Sequence, residues 1–228
     1  MRRADSAAGR DAAGDAMEGL AGLIAGVGYA SGLNLYAVVA LLGLFGRYGG
    51  ADVPAVFVRT DVLVLAGLLF LVEFVVDKIP YLDDLWDLVH TAIRPLGAVG
   101  VAWLLTGDAG AWEQAGSSLA AGGLATVSHA IKATTRVAVN ASPEPISNSI
   151  VSLTEDGLVA AVVWLAVTNP VAAIVAVVVL LVAGAVLVAF VWRAARRSWR
   201  QWRRRRRRPD GDVVTRTAAN GDRRRPGA

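Results

Sequence analysis

Polar and charged side chains recur at helical spacing inside stretches of this sequence that are otherwise apolar. His129, Lys132, Arg136 and Asn140 follow i, i+3, i+7 and i+11. That spacing places all four on one face of a single helix. A helix face with two cations and a histidine can hold an anionic group or balance acidic side chains of its neighbours.

Acidic side chains recur at similar spacing in two other segments. Glu73 and Asp77 are four residues apart, and Glu155 lies seven residues after Asn148 with Asp156 next to it. A charge inside a membrane-spanning segment costs several kcal/mol unless it is paired or hydrated. We therefore expect these acids to face the cations of the first set.

Lys132 and Arg136 are the predicted ion-pair partners of Glu73, Asp77 or Glu155. Opposite charges from separate helices predict a charge-compensated polar cluster or cavity that is open to the cytoplasm. A purely structural ion-pair network would produce the same pattern. The candidate lining residues are Asn34, Glu73, Asp77, Lys78, Asp87, His90, Arg94, His129, Lys132, Arg136, Asn140, Glu144, Asn148, Glu155 and Asp156.

The stretch "YLDDLWDLVHTAIRP" carries one apolar and one polar stripe. It predicts an amphipathic helix over residues 81–94 that ends at Pro95 and lies along the inner interface or enters the bilayer as a re-entrant element. Asp83, Asp87 and His90 of the polar stripe could together hold a metal, but an interfacial helix needs the same polar face, so we predict no metal ligand. The apolar stripe is Leu82, Leu85, Trp86, Val89 and Ile93, and the polar stripe is Asp83, Asp87, His90 and Arg94.

The stretch "AGVGYASGLNLY" places three glycines beside Ser31 and Asn34. Small residues let another helix approach closely. The same residues are typical of a discontinuous helix whose unwound backbone faces a polar cavity. Both interpretations stay open at this point.

Long apolar runs must carry these side chains. Residues 171–192 contain no charge and, as a helix, span about 30 Å, the thickness of the hydrocarbon core of a bilayer. We predict an all-α, polytopic transmembrane bundle at 19–192, between a disordered cytoplasmic leader at 1–18 and a disordered Arg-rich tail at 193–228. The six predicted spans are 20–45, 61–78, 88–105, 117–139, 146–167 and 171–192.

Basic residues are distributed unevenly between the predicted loops. With six spans and a cytoplasmic tail, only Arg47 and Arg59 lie outside, as the positive-inside rule favours. This places both termini in the cytoplasm of a bacterial plasma membrane protein. Six spans also permit an inverted three-plus-three repeat.

The net charge of +4 hides two opposite regions. From residue 193 onward the chain carries +11, and the rest carries −7. An arginine run next to a transmembrane helix is typical of contact with anionic lipid headgroups, and we expect no nucleic-acid binding. The run is Arg203, Arg204, Arg205, Arg206, Arg207 and Arg208.

Several chemistries are excluded or lack a signature. The chain has no cysteine, which excludes disulfides and thiol nucleophiles. It has no H-E-x-x-H, G-x-S-x-G or Walker sequence, so we predict neither an enzyme nor a cofactor.

Four stretches resemble a bacterial membrane family, domain of unknown function 4126. They are "ASGLNLY" at 30–36, "LVEFVVDKIPYLDDLWDLVHTAIRP" at 71–95, "HAIKATTRVAVNASPEPISNSIVSLTEDGL" at 129–158 and "VTNP" at 167–170. Leu35 stands where the family more often has proline. The resemblance implies a polytopic membrane protein and brings no activity with it.

The facing polar stripes predict a small transporter or channel-like permease for an ion or metabolite whose identity the sequence does not give. Acids such as Glu73 and Glu155 would bind protons or cations. Lys132 and Arg136 would balance them or hold an anionic group. The alternative is a membrane scaffold or accessory protein in which the same charges only stabilise the fold.

Overall fold

The computed structural model describes residues 2–79, 81–140 and 145–206. Within these ranges the chain is helical and contains no strand. The helices are α1 (Arg2–Tyr48), α2 (Ala55–Val58), α3 (Thr60–Val76), α4 (Leu82–Leu105), α5 (Ala111–Asn140), α6 (Pro145–Thr168) and α7 (Pro170–Arg206).

Four helices are long and apolar enough to cross a membrane, which agrees with the predicted membrane protein. They contain the stretches Met17–Tyr48, Leu82–Leu105, Ile146–Thr168 and Pro170–Arg200. The predicted second span, α3, has only 17 residues. The predicted fourth span, α5, is long but carries the polar face that surrounds Lys132 and Arg136.

Large apolar side chains cover the outside of the bundle, while many of the charged ones lie inside. Leu68, Leu85, Leu96 and Val182 are all more than half exposed. Water disfavours such an apolar surface, and lipid does not. The distribution is the reverse of the one in a soluble helical protein, and it supports placement in a bilayer.

Helix α1 consists of two segments that meet at Asn34. The backbone of Asn34 is extended (φ −154°, ψ 97°), so the helix is interrupted there. Its side-chain Oδ1 accepts a hydrogen bond of 2.9 Å from the backbone N–H of Ala37. Asn34 therefore acts as the N-cap of the second segment, which continues to Tyr48.

The first segment of α1 runs antiparallel to α6 and parallel to α5. Along α6, Gly26 faces Ala166, and near the break Asn34 reaches Asp156. Along α5, a Cβ at Gly28 would lie 2.7 Å from Cα of Ala121. Close packing and a discontinuous helix were the two alternative interpretations of this stretch, and the structure contains both.

The second segment of α1 runs antiparallel to α3. Gly43 lies against Leu63, and Arg47 Nη1 donates to Thr60 Oγ1 at 3.1 Å. The last turn of α3 leads toward the starts of α4 and α6, where the backbone oxygen of Asp77 accepts from Asn148. Helices α3 and α5 run in the same direction, so the second segment of α1 runs opposite to the first. The chain therefore reverses its direction within α1.

This course differs from the predicted straight first span. We call the end of the bundle with residues 77–79, 81–83, 136–140 and 145–148 the cluster end, and the end with 105–117 and 168–170 the distal end. The prediction put residue 20 at the cluster end. Instead, Met17 and Leu20 share a groove with Glu113, and Gly22 contacts Pro170, all at the distal end. The break at Asn34, which reverses the chain, is the physical reason.

The predicted separate helix at 81–94 is also wrong. Helix α4 continues through Pro95 to Leu105, because packing on α1 and α5 outweighs the cost of about 3 kcal/mol for an interior proline. The polar stripe of α4 is buried, while Leu85 and Val89 on its apolar stripe are more than half exposed. An interfacial helix has the opposite arrangement.

Candidate functional site

Eight charged side chains from α3, α4, α5, α6 and the turn after α3 meet inside the bundle, each of them at most 9% exposed. We call this group the ion-pair cluster. Its members are Glu73, Asp77, Asp83, Asp87, Arg94, Lys132, Arg136 and Glu155.

Arg136 of α5 joins three other parts of the chain. Its Nη2 donates to Glu155 Oε2 at 2.8 Å and to Asp77 Oδ2 at 3.1 Å. Its Nη1 donates to Asn148 Oδ1 at 2.8 Å and lies 3.5 Å from Asp83 Oδ2. One guanidinium therefore connects α5 to α6, to α4 and to the turn after α3, as its five-donor fork permits.

Lys132, one turn earlier on α5, sits between α1, α3 and α6. Its Nζ donates to Asp77 Oδ2 at 2.8 Å and to the backbone oxygen of Leu33 at 3.2 Å. Glu73 and Glu155 lie at 3.6 and 3.8 Å. The predicted pairing of Lys132 and Arg136 with Glu73, Asp77 and Glu155 is therefore confirmed.

Arg94 of α4 is the third cation of the cluster. Its Nη2 donates to Glu73 Oε1 at 2.6 Å, and both side chains are fully buried. Its Nη1 donates to His129 Nδ1 at 2.7 Å and to the backbone oxygen of Gly32 at 3.5 Å. The same Nη1 lies 3.0 Å from Asp87 Oδ1.

The interruption of α1 supplies further acceptors to the cluster. The last carbonyls of a helix lack partners within it, and they carry the negative end of the helix dipole. Here Arg94 and Lys132 donate to the carbonyls of Gly32 and Leu33. The discontinuous-helix interpretation of this stretch predicted unwound backbone facing polar groups, but it did not identify Arg94 and Lys132 as the donors.

Hydrogen bonds fix His129 as a neutral imidazole. Its Nδ1 accepts from Arg94 at 2.7 Å, so it carries no proton. Its Nε2 lies 3.1 Å from Thr91 Oγ1, which itself donates to the backbone oxygen of Asp87. The Nε2 proton therefore points to Thr91.

His90 lies at the edge of the cluster and is neutral for the same kind of reason. Its Nδ1 donates to the backbone oxygen of Trp86 at 2.8 Å, and its Nε2 accepts from the hydroxyl of Tyr36 at 3.0 Å. The three-residue metal alternative does not assemble, because Asp83 faces Arg136 while His90 faces Tyr36. Across the described residues no group of three Asp, Glu or His side chains is arranged to hold a metal ion.

The remaining predicted residues surround the cluster. Asn34 Nδ2 donates to Asp156 Oδ1 at 3.4 Å. Lys78 Nζ donates to the backbone oxygen of Phe74 at 2.8 Å and lies 3.4 Å from Ser152 Oγ.

Some predicted residues lie at the cluster end or beyond the described part of the chain. Asn140 lies 3.4 Å from both carboxylate oxygens of Asp83. Glu144 falls outside the described residues, and so do the side chains of Arg203–Arg208. Asp83 was absent from the predicted lining set, although its i, i+4 spacing to Asp87 was a usable signal.

Two cavities border α5 beside the ion-pair cluster. One, of about 240 Å³, lies between α1, α5 and α6 and reaches Lys132 and Glu155 through mostly apolar walls. The other, of about 280 Å³, lies between α4 and α5 and is lined by Asp84, Asp87, Leu88, Thr91, Ala133 and Val137. Among the described residues, the charged side chains therefore form a packed cluster, and these two cavities lie beside it.

Comparison with known proteins gives one match. The family model described as Domain of unknown function (DUF4126) matches residues 21–190, a range that contains the whole ion-pair cluster. No curated protein and no solved structure matches the chain. Since the family model covers well over half of the sequence, the chain belongs to the DUF4126 family.

Proposed function

We propose that this protein is a small transporter or channel-like permease whose ion-pair cluster binds a proton or a small cation. The observation that carries the proposal is a charge imbalance. The cluster holds five carboxylates and three cations. Adding the half-buried pair Lys78 and Asp156 leaves the excess of two carboxylates unchanged.

An excess of buried carboxylates favours the uptake of positive charge. An unpaired charge in a low-dielectric interior costs several kcal/mol, and a bound proton or cation removes that cost. The carbonyl groups of Gly32 and Leu33 add partial negative charge at the same place. Broken helices whose ends point at a buried ion are a recurrent feature of secondary transporters.

The depth of the cluster also supports the proposal. Lys132 lies eight residues before the end of α5, Glu155 ten residues after the start of α6, and Arg94 twelve residues after the start of α4. At 1.5 Å per residue these positions are about 12 to 18 Å from the cluster end. A charge at such a depth is a functional candidate by default.

For the orientation, we propose that the cluster end faces the cytoplasm of a plasma membrane. Lys78, Arg94, Lys132 and Arg136 favour that side by the positive-inside rule, and we expect the sequence from residue 193 onward, with a charge of +11, to meet anionic headgroups of the cytoplasmic leaflet. Helices α3 to α7 would each cross once, and α1 would enter and leave at the distal end. In this arrangement the C-terminus is cytoplasmic, as predicted, but the N-terminus is not. Helices α3 to α7 make an odd number of crossings, which does not divide into a three-plus-three repeat.

Flux through proteoliposomes tests the proposal. Purified protein is reconstituted with a pH-sensitive dye inside, and a proton or alkali-cation gradient is applied. We expect flux above that of protein-free vesicles, and a loss of at least tenfold in Glu155→Gln. Asp61→Asn, which removes an exposed acid at the start of α3, is the matched control and keeps the flux. Equal flux with and without protein for every cation tested contradicts the proposal.

A structural role is the second candidate, because each buried cation has several partners. Arg136 alone contacts three carboxylates and Asn148. If the cluster only holds the helices together, Glu73→Gln and Lys132→Gln change the melting temperature, and no ion or metabolite stabilises the wild type. A cation that raises the melting temperature of the wild type but not of the Glu73→Gln, Lys132→Gln double variant favours transport.

A further inference from the structure

The cavity between α1, α5 and α6 combines apolar walls with two charged side chains. Its volume is about 240 Å³. Its apolar lining residues are Leu33, Ile131, Val151 and Leu158. Thr135 and Thr154 add little polarity, because each hydroxyl donates to a backbone oxygen of its own helix, at 2.9 and 2.8 Å. Polar contacts with a ligand are therefore left to Lys132 and Glu155.

Glu155 offers the cavity a carboxylate oxygen that has no partner. Its Oε2 accepts from Arg136 at 2.8 Å and lies 3.8 Å from Lys132 Nζ. Its Oε1 accepts no hydrogen bond from the residues that the structure describes, and it is not sealed from the surface. At 9% exposed, Glu155 is also the most accessible of the five acids of the ion-pair cluster. One oxygen of this buried carboxylate is therefore open to a donor in the cavity.

The charges around the cavity favour a cation over an anion. Lys132 already donates to Asp77 and to the backbone oxygen of Leu33. Glu73 and Glu155 lie 3.6 and 3.8 Å from its Nζ, so its charge is already balanced by acids. The cluster holds five carboxylates and three cations. An anion would add to this excess of negative charge, whereas a cation at Glu155 Oε1 would reduce it.

The cavity opens between α5 and α6, toward the apolar outer surface of the bundle. Both helices pack more closely on α1 than on each other. Thr154 in the cavity lining is exposed, and the nearby Ile150 is 59% exposed. Helix α7 contacts Ile131 through Gly184, but none of its described residues lines the cavity. Glu155 is ten residues into α6, about 15 Å from the cluster end, so a ligand reaches it from the hydrocarbon of the bilayer.

The size of the cavity limits the apolar part of the ligand. An apolar cavity of about 150 Å³ binds benzene. A volume of about 240 Å³ therefore admits one aromatic ring with a short alkyl chain.

We propose that this cavity binds an organic ammonium ion with a small apolar body, which enters from the lipid between α5 and α6. The charged nitrogen donates to Glu155 Oε1, and the apolar body contacts Leu33, Val151 and Leu158. This inference rests on the proposed function and names the substrate class of the ion-pair cluster.

Calorimetric titration of the full-length protein in detergent tests the ligand class. Phenethylammonium is the probe at neutral pH, and its heat of transfer into protein-free detergent is subtracted. We expect it to bind at least tenfold more tightly than phenethyl alcohol, which has a similar size and no charge. Hydrocinnamate, the anionic analogue, is expected to bind more weakly still. No binding of phenethylammonium, or equal or tighter binding of either analogue, overturns the proposal.

Two variants test the position of the ligand. Glu155→Gln removes the charge, and Val151→Phe fills the cavity without touching an ionised group. We expect each to weaken the binding of phenethylammonium at least tenfold. Ile150→Phe makes a change of the same kind at the exposed neighbour of Val151, and we expect it to leave the affinity within twofold of the wild type.

The two variants do not depend on each other. Unchanged affinity in a folded Glu155→Gln protein, or in Val151→Phe, overturns the assignment of the site. If Glu155→Gln fails to fold, Val151→Phe and Ile150→Phe decide the question alone. A loss of affinity in Ile150→Phe as large as that in Val151→Phe also overturns it.

The calorimetric and flux measurements fail independently. Calorimetry requires binding but no transport, so binding of phenethylammonium without flux of any cation overturns the proposed function alone. Flux of protons or alkali cations without binding of phenethylammonium overturns this inference alone.

Discussion

Helix α3 has an arginine–carboxylate pair near each end, and the two pairs have the same length in opposite surroundings. Arg59 Nη2 lies 2.6 Å from Asp61 Oδ2, and both side chains are about two-thirds exposed. Arg94 Nη2 lies 2.6 Å from Glu73 Oε1, and both are fully buried. Distance alone therefore says little about what an ion pair does for the protein.

The two pairs differ in what would stabilise each charged group if its ion-pair partner were removed. The hydrogen bond with Asp61 raises the pKa of Arg59, yet water would solvate either group if the pair separated. Arg94 and Glu73 are buried away from water, and their neighbours are other members of the ion-pair cluster. Water can therefore replace the exposed ion pair. The buried ion pair belongs to a network in which each charge depends on the opposite charges around it.

Removal of a buried cation is the strongest way to test this difference. Arg136→Gln leaves Asp77, Asp83 and Glu155 with one cation fewer in an already acidic cluster. We expect a loss of about 3–5 kcal/mol in the free energy of unfolding. Thermal unfolding in detergent, followed by circular dichroism, measures it. A loss no larger than that of Arg59→Gln would contradict the distinction between the two sites.

Removal of a buried acid is expected to cost less than removal of a buried cation. Glu73→Gln keeps one oxygen as an acceptor for Arg94 and reduces the excess of negative charge. We expect a loss of about 1–3 kcal/mol, measured in the same unfolding assay. If Glu73→Gln destabilises the protein more than Arg136→Gln, the cluster does not carry an excess of carboxylates.

The cap at the break of α1 gives a smaller effect. Asn34→Ala removes the acceptor for the N–H of Ala37 and the contact with Asp156. We expect a loss of about 1 kcal/mol. Asn34→Asp keeps the acceptor but adds a negative charge beside Asp156, so it separates the cap from the charge when both variants are melted side by side.

Removal of the exposed ion pair is expected to have the smallest effect on stability among these variants. Arg59→Gln is expected to leave the melting temperature unchanged, because water replaces the contact with Asp61. The measurement is repeated at low and high salt. A clear decrease at low salt that disappears at high salt would show that the exposed pair contributes after all.

Spacing alone predicted which charged residues meet, but not how closely. Lys132 and Arg136 share a helix face, and a bilayer leaves a buried charge few alternatives to a partner of opposite sign, so their pairing with Glu73, Asp77 and Glu155 followed from the sequence. Whether these groups pack together or line an open cavity did not follow from the sequence, because that depends on how the long side chains of α5 occupy the space between the helices.

The sequence did not predict whether α1 crosses the bundle in one direction or reverses at Asn34. Its glycines and Asn34 fit either a packed crossing or a broken one, and only the contacts with α6 and α3 decide between the two. Likewise, the stripes of α4 were correct, but their orientation was wrong. Amphipathicity gives two faces, and which of them faces inward depends on whether the surroundings are water or lipid.

The inward polar stripe of α4 has a consequence for biogenesis. Asp87 and Arg94 each disfavour release of a lone helix from the translocon into lipid, by an amount that reaches about 2.5–3.5 kcal/mol at the centre of a segment and falls toward its ends. Glu73, the partner of Arg94, precedes α4 in the chain, whereas Arg136 and Lys132, the cations near Asp83 and Asp87, are synthesised only after α4 has been completed. We therefore expect α4 to stay beside the insertion machinery until α5 arrives, so that the two helices enter the lipid as a pair.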